Sequence, residues 1–312
     1  MPHSEDLLEN QRNSTVSKEI KNKFVVILLL GLLSAIGPFS IDMYLPGFEA
    51  IADDLGATIA HIQLSLTSFF IGIAAGQMIY GPLLDRFGRR IPLMAGLLIY
   101  IGASAACALT HSADSLILFR FIQALGSCAG MVASRALVRD YFPPSETARV
   151  FSLLMLVIGI SPVIAPTVGG YITHFLGWHY VFVLLGIITL LILLGVLFVL
   201  EDKRGPDRGM SLLPAPILRS FWQVLKLRQF YIYAISGGLA SAGLYAYIAG
   251  SSFVMMGVFG ITETQYGWTF GALAGGLILS SQLNSLLLRR YSSELIARRA
   301  LLIQAVCGLL LV

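Results

Sequence analysis

Gly81-Pro82-Leu83-Leu84-Asp85-Arg86-Phe87-Gly88-Arg89-Arg90 is a short charged run caught between two long apolar ones. Residues 62–81 lead into it and residues 91–110 lead away. Each run is about 20 residues, the length a helix needs to cross the hydrocarbon core of a bilayer. A turn this tight between two helices calls for a residue that tolerates positive φ, and Gly88 supplies it. The arginines suit the carbonyl end of the preceding helix, where the dipole is negative. Asp85 does not, and so asks for a positive partner from elsewhere. An ordinary cation-bearing membrane loop is the plain alternative, and the Asp-Arg-x-Gly-Arg-Arg spacing is what argues against it.

The pattern of long apolar run and short polar connection extends outward in both directions. Apolar runs near 24–46, 62–81, 91–110, 116–138, 150–173, 178–200, 230–255 and 266–288 each reach spanning length. A ninth begins near residue 300 and continues to Val312. The first is longer than a signal-peptide core and is followed by seven more, which marks it as a retained helix. Of the 312 residues, 56% are apolar and only 12% are charged, and the mean hydropathy is +0.80. Soluble domains carry about 25% charged residues, so the composition argues against a water-soluble enzyme and excludes disordered and collagen-like chains. The net charge of +4 is too small to indicate nucleic-acid binding. Cys107, Cys128 and Cys307 each sit inside an apolar run, without disulfide or zinc spacing.

Charge placement orients the chain. Arg12, Lys18, Lys21 and Lys23 precede the first run, Arg86, Arg89 and Arg90 follow the second, and Arg139 and Arg149 follow the fourth. Lys203, Arg204, Arg208, Arg219, Lys226 and Arg228 follow the sixth; Arg289, Arg290, Arg298 and Arg299 follow the eighth. Only Arg120 and Arg135 of the 21 Lys and Arg fall outside this set, within the fourth run. The alternate connections hold acids such as Glu49, Asp53, Asp54, Asp114 and Glu263 and no Lys or Arg. Cations concentrate on the cytoplasmic side of membrane proteins, so the N-terminus is expected there.

One connection is long, basic and proline-bearing. It divides the chain into a cytoplasmic tail at 1–23, a six-helix half at 24–200, a cytoplasmic linker at 201–228 and an incomplete second half at 229–312. The Arg289-Arg290 to Arg298-Arg299 segment falls where the Gly81–Arg90 turn would recur in a duplicated half, a weak echo of a parallel repeat.

The residues Gly81, Asp85, Arg86, Gly88, Arg89 and Arg90 match every fixed position of G-x-L-x-D-R-x-G-R-[KR], and the run resembles the signature loop of the major facilitator superfamily. Arg120-Phe-Ile-Gln123-Ala-Leu-Gly126 is similar to the family's R-x-x-Q-G form, with Ala124 where Gly is usual. Gly159-Ile-Ser-Pro162-Val-Ile-Ala165-Pro166-Thr-Val-Gly169-Gly170 resembles its drug-antiporter motif ending G-P-x-x-G-G, again with an Ala for a Gly. With Ser40-Ile-Asp42-Met-Tyr-Leu-Pro46 and Arg139-Asp140, nearly the whole chain from Phe24 onward resembles the bicyclomycin-resistance subfamily of bacterial drug/proton antiporters. The resemblance implies an all-α major facilitator fold of twelve helices in two halves, about three of which would be missing. It also implies a monomer in the bacterial inner membrane that moves small molecules and protons and needs no cofactor. Independently of it, Pro162 and Pro166 each remove a backbone donor, and paired glycines admit a neighbouring helix closely. Such a helix suits a sliding interface between halves; a merely kinked packing helix is the alternative.

Charges inside the membrane cost about 2.5–3.5 kcal/mol at a helix centre and are functional suspects by default. Arg135 is one turn from Arg139 and can reach the cytoplasmic face. Asp42 and Arg120 both fall about 6–8 Å below the outer boundary at 1.5 Å per residue. Gln123 lies one turn from Arg120 on the same face. Burial raises a carboxylate's pKa and a neighbouring arginine lowers it, so Asp42 can be a switchable proton carrier. A structural ion pair with Arg120 is the competing reading. The resemblance implies that the first, fourth and seventh helices line a central cavity. Phe39, Met43, Tyr44, Gln123, Met131, Tyr245, Tyr247 and Ser251 would then face substrate, their aromatic and Met side chains adapting to varied ligands. Each is also compatible with plain helix packing.

No Gly-Lys pair occurs, so a Walker-type ATP site is absent. His3, His61, His111, His174 and His179 fall at the N-terminus or near outer connections and read as scattered interfacial residues. A proton-coupled exporter of small amphiphilic or cationic compounds is the expected function, with a proton-coupled nutrient importer as the alternative. A receptor or intramembrane enzyme would need a signalling domain or a catalytic constellation, and the sequence has neither.

Overall fold

The computed structural model describes residues 3–201, 205–207, 209, 214–287 and 290–310, with only the backbone described over 3–22. Among these residues the chain is helical throughout and contains no strand. The elements are α1 (His3–Asp42), α2 (Phe48–Asp54), α3 (Ile59–Phe87), α4 (Arg90–Ala108), α5 (Ala113–Tyr141), α6 (Pro144–Leu176) and α7 (His179–Val199). They continue with α8 (Pro214–Leu225), α9 (Arg228–Ser252), α10 (Glu263–Leu287) and α11 (Ser293–Leu310).

Local chemistry sets the boundaries. The Thr58 hydroxyl accepts the His61 N–H at 3.2 Å and caps α3. At the other end Gly88 takes φ +82° and ψ 171°, so the turn between α3 and α4 is only Gly88 and Arg89. Pro143 and Pro144 open α6, where a missing N–H costs nothing, and Gly177 at φ +98° closes it. The last helix begins at Ser293 rather than near residue 300, because Ser292 accepts the Leu295 N–H on its hydroxyl and starts the helix earlier.

Pro46 does not end the first span. The chain turns through a single 3₁₀ turn at Leu45–Gly47 and re-enters helix as α2, so the apolar run extends to Asp54. Among the described residues, seven helical runs are long and apolar enough to cross a membrane: Lys23–Asp54, α3, α4, α5, α6, α7 and Arg228–Val258. The last of these runs through α9 into a π-helical turn at Phe253–Val258. α10 fills the eighth expected span by length, but Gln265, Ser280, Ser281, Gln282 and Asn284 dilute its apolar content. Of the loop cations, Lys203, Arg204, Arg208 and Arg289 lie outside the described residues. The 201–228 linker is not extended throughout, since α8 forms inside it.

The bundle has an apolar core, with Leu30, Phe69, Leu97 and Phe182 buried, but unlike a soluble bundle it is apolar outside as well. Phe198 is 84% exposed, and Ile71, Leu98 and Leu191 also face outward, whereas Ser34, Ser40, Ser65, Ser104, Ser127 and Arg120 are buried. Only an apolar surround makes that arrangement favourable, and the chain is a multi-pass membrane protein. α5 sits centrally against α1, α3 and α4; α7 packs on α4 and α1. α6 bridges onward, touching α1 on one side and α10 on the other.

Candidate functional site

Two ends of the bundle carry different chemistry. At the end bearing the Gly81–Arg90 turn, Arg89 donates from Nη1 to Asp85 Oδ1 at 2.7 Å and from Nε to Asp140 Oδ2 at 2.9 Å. Among the described residues Asp85 is thus partnered by Arg89, four residues on. The turn at Gly88 brings the guanidinium back over the end of α3. Burial opposes the Arg89 charge, but hydrogen bonds and attraction from Asp140 and Asp85 outweigh it and hold the group above the ordinary arginine range. Arg90 Nη2 donates to Leu197 O at 2.6 Å, and Arg86 Nη1 donates to Asp207 O at 3.3 Å. Gly81, Asp85, Arg89, Arg135, Arg139 and Asp140 line a cavity of about 410 Å³ there. Arg135 is exposed at this end, as its nearness to Arg139 led one to expect.

The opposite end gathers histidines and acids. His61 Nε2 lies 3.0 Å from Asp114 Oδ1, His174 Nδ1 lies 3.7 Å from Glu263 Oε2, and His179 Nε2 lies 3.8 Å from Asp54 Oδ2. Trp178 Nε1 also donates to Asp54 Oδ2 at 3.1 Å. Each of these three interfacial histidines thus has a carboxylate on a neighbouring element. The helices close tightly here. A side chain at Gly169 would collide with Met43 O, and one at Gly170 with Glu263 O, so α6 meets both α1 and α10 backbone to backbone. Pro162 and Pro166 lie inside α6 along the same helix, whereas Gly159 has open surroundings, with only Ile278 in ordinary contact range.

Asp42 and Arg120, expected at one depth, form no ion pair or hydrogen bond with each other. Arg120 is fully buried in the first-half bundle. Its Nη1 donates to Gln123 Oε1 at 2.6 Å and its Nη2 to Ser40 O at 3.1 Å. Its guanidinium carbon stands 4.1 Å from the Phe69 ring centroid and 4.6 Å from that of Tyr44, so aromatic faces replace the expected carboxylate. Its Nε is buried without a hydrogen-bond partner. Asp42, 4% exposed, closes α1, and its Oδ2 accepts from Ser161 Oγ of α6 at 3.2 Å. The ion pair is absent because the Leu45–Gly47 turn lets Asp42 sit at the seam with α6, while Arg120 points into the bundle.

The expected cavity residues divide in the same way. Tyr44 donates to or accepts from Ser65 at 2.7 Å and packs on Phe48 and Phe182, and Gln123 Nε2 donates to Ser104 Oγ at 2.7 Å. Both are interior braces of the first half. Met43 is buried beside α6 as well. Phe39, Met131 and Tyr247 are half-buried, and Tyr247 stacks on Phe270 with its hydroxyl buried and unpaired. Tyr245 packs edge-on against Phe70. Sequence reading quoted Asp140 only within the Arg139-Asp140 pair, without its partner Arg89, and gave no role to Ser161 or Tyr266. The last is a fully buried tyrosine whose hydroxyl bonds Ser251 Oγ at 2.8 Å. A buried acid requires a donor, and searching neighbouring spans for a hydroxyl at Asp42's depth would have raised Ser161.

Comparison with known proteins agrees with the architecture. The family model for the Major Facilitator Superfamily matches residues 29–312. A bicyclomycin resistance protein homolog of Haemophilus influenzae is 34% identical over 94% of this chain and 73% of its own length. A chloramphenicol resistance protein of Pseudomonas aeruginosa is 30% identical over 87% of this chain and 64% of its own. Among solved structures, a bacterial homolog of the human lysosomal transporter Spinster superposes with TM-score 0.70 at 18% identity. That superposition covers 88% of this chain and 64% of the other, and at this identity it speaks to fold alone.

Proposed function

The chain belongs to the major facilitator superfamily, and on that premise we propose that it is a proton-coupled exporter of small amphiphilic or cationic compounds, antibiotics among them. The names of its relatives, a bicyclomycin resistance protein homolog and a chloramphenicol resistance protein, support export of drugs. The observation that carries the coupling is Asp42: a carboxylate buried in a membrane-spanning bundle, held by a neutral hydroxyl and not by a counter-ion. Removing a lone charge from water is costly, so such a group readily takes a proton when its surroundings allow it. An acid locked to an arginine would resist that exchange.

In this reading the cation-bearing end is cytoplasmic, in the inner membrane of a bacterium, and the histidine–acid end faces outward. The tight contacts of Gly169, Gly170 and Gly267 close the outer end. The Arg89–Asp85–Asp140 cluster steadies the inner end of the first half. Rocking the halves apart at α6 and α10 exposes Asp42 and the half-buried Phe39, Met131 and Tyr247 to the outside. Protonation of Asp42 from that side and release to the cytoplasm then drive substrate the other way.

Ethidium, a cationic amphiphile, provides the test. Cells expressing the protein should retain less ethidium than controls, and a protonophore should abolish the difference. Unchanged retention, or a difference that survives the protonophore, contradicts the reading. Increased retention indicates import.

A further inference from the structure

Ser161 stands out among the buried hydroxyls of the bundle. Serines and threonines in membrane helices usually donate to the carbonyl one turn back. Ser34 does so to Leu30 O, Ser40 to Ile36 O, Ser104 to Tyr100 O and Thr167 to Val163 O. Ser161, wholly buried, instead donates across a helix boundary, to the carboxylate of Asp42 at 3.2 Å. It is the one hydrogen-bond donor that Asp42 has among the described residues.

The other titratable and charged groups around the carboxylate are accounted for. Arg120 of α5 is bonded to Gln123 and Ser40 O. Arg135 lies at the far end of α5 with Asp85, and Glu49 lies beyond the Leu45–Gly47 turn, on α2. On α7, His179 lies at the outer end beside Asp54. From the second half, α10 contributes the fully buried phenol of Tyr266, its hydroxyl tied to Ser251. Asp42 thus has a neutral donor on its own half.

We propose that Ser161 is the positioning residue of the coupling carboxylate, donating its hydroxyl hydrogen to ionised Asp42 and so setting the pH at which Asp42 loads. Ser161 itself exchanges no proton with substrate or solvent. The proposal rests on the coupling role given to Asp42 above. A hydrogen bond donated to a carboxylate favours the charged form, so its removal moves loading to higher pH.

Infrared pH-difference spectra of the purified protein test this without any substrate. The protonated carboxyl band that disappears in Asp42→Asn reports Asp42. In Ser161→Ala its midpoint is expected about one pH unit higher, a tenfold change in proton concentration, and Ser161→Thr should restore the wild-type midpoint. An Asp42 band whose midpoint is unmoved in Ser161→Ala overturns the role of Ser161 and leaves the coupling reading standing. Absence of any titrating Asp42 band between about pH 4 and pH 9 overturns the coupling reading itself.

Discussion

Arg89 reaches back four residues to Asp85, Nη1 to Oδ1 at 2.7 Å, while its Nε holds Asp140 at 2.9 Å. One guanidinium thereby ties the end of α3 to the end of α5. Its side chain is 8% exposed and that of Asp140 is 13%, so both sit largely out of water.

That geometry requires the planar fork of arginine. Arg89→Lys keeps the charge but replaces two donor nitrogens fixed in one plane, Nε and Nη1, with a single nitrogen on a flexible stem, and it should destabilise nearly as much as Arg89→Ala. A loss of about 1–3 kcal/mol is expected from the stranded acceptors, read as lowered thermal stability in detergent. Wild-type stability in Arg89→Lys would show that charge alone is sufficient.

Gly88 occupies φ +82° and ψ 171°, a region essentially reserved for glycine. Gly88→Ala should cost about 1–3 kcal/mol and lower the amount of folded protein in the membrane. A neighbouring exposed substitution such as Phe87→Leu controls for general sensitivity of the turn.

Asp42 and Arg120 form neither an ion pair nor a hydrogen bond, so their substitutions should be independent. Asp42→Asn and Arg120→Gln are expected to add in thermal stability within about 0.5 kcal/mol, with no recovery in the double variant. Recovery in the double variant would indicate an ion pair.

Gly267 lets α10 lie on α6: an added Cβ would stand 2.7 Å from Thr167 Cα and 2.8 Å from Pro166 O. Gly267→Ala should therefore part the outer ends. Overpacking of this kind costs about 1–3 kcal/mol, so labelling of a cysteine placed at Thr264 by a membrane-impermeant maleimide should rise at least about fivefold. An unchanged labelling rate would mean that the contact does not control closure.

The helices were legible because membrane spans are written in one dimension: length and apolarity suffice, and Gly88 marks a turn by backbone chemistry alone. The partners were not, because partnership depends on which faces meet after packing. The near partner of Asp85 was not legible, because only the sharpness of the Gly88 turn places Arg89 over it. Asp42 and Arg120 were matched for depth along the helices, but rotation about the axes turned them to different neighbours. His61, His174 and His179 read as scattered because their acids, Asp114, Glu263 and Asp54, are distant or unremarkable in sequence. Pro46 suggested an end to the first span, whereas the following turn continues the helical path to Asp54.

In the proposed cycle Asp42 carries the proton that drives export. Everted membrane vesicles containing the protein, given an inward-acid pH gradient, should accumulate ethidium, and the Asp42→Asn variant at equal protein level should not. The same variant should still exchange ethidium across the membrane without a gradient. Gradient-driven accumulation by Asp42→Asn at the wild-type rate would contradict the account.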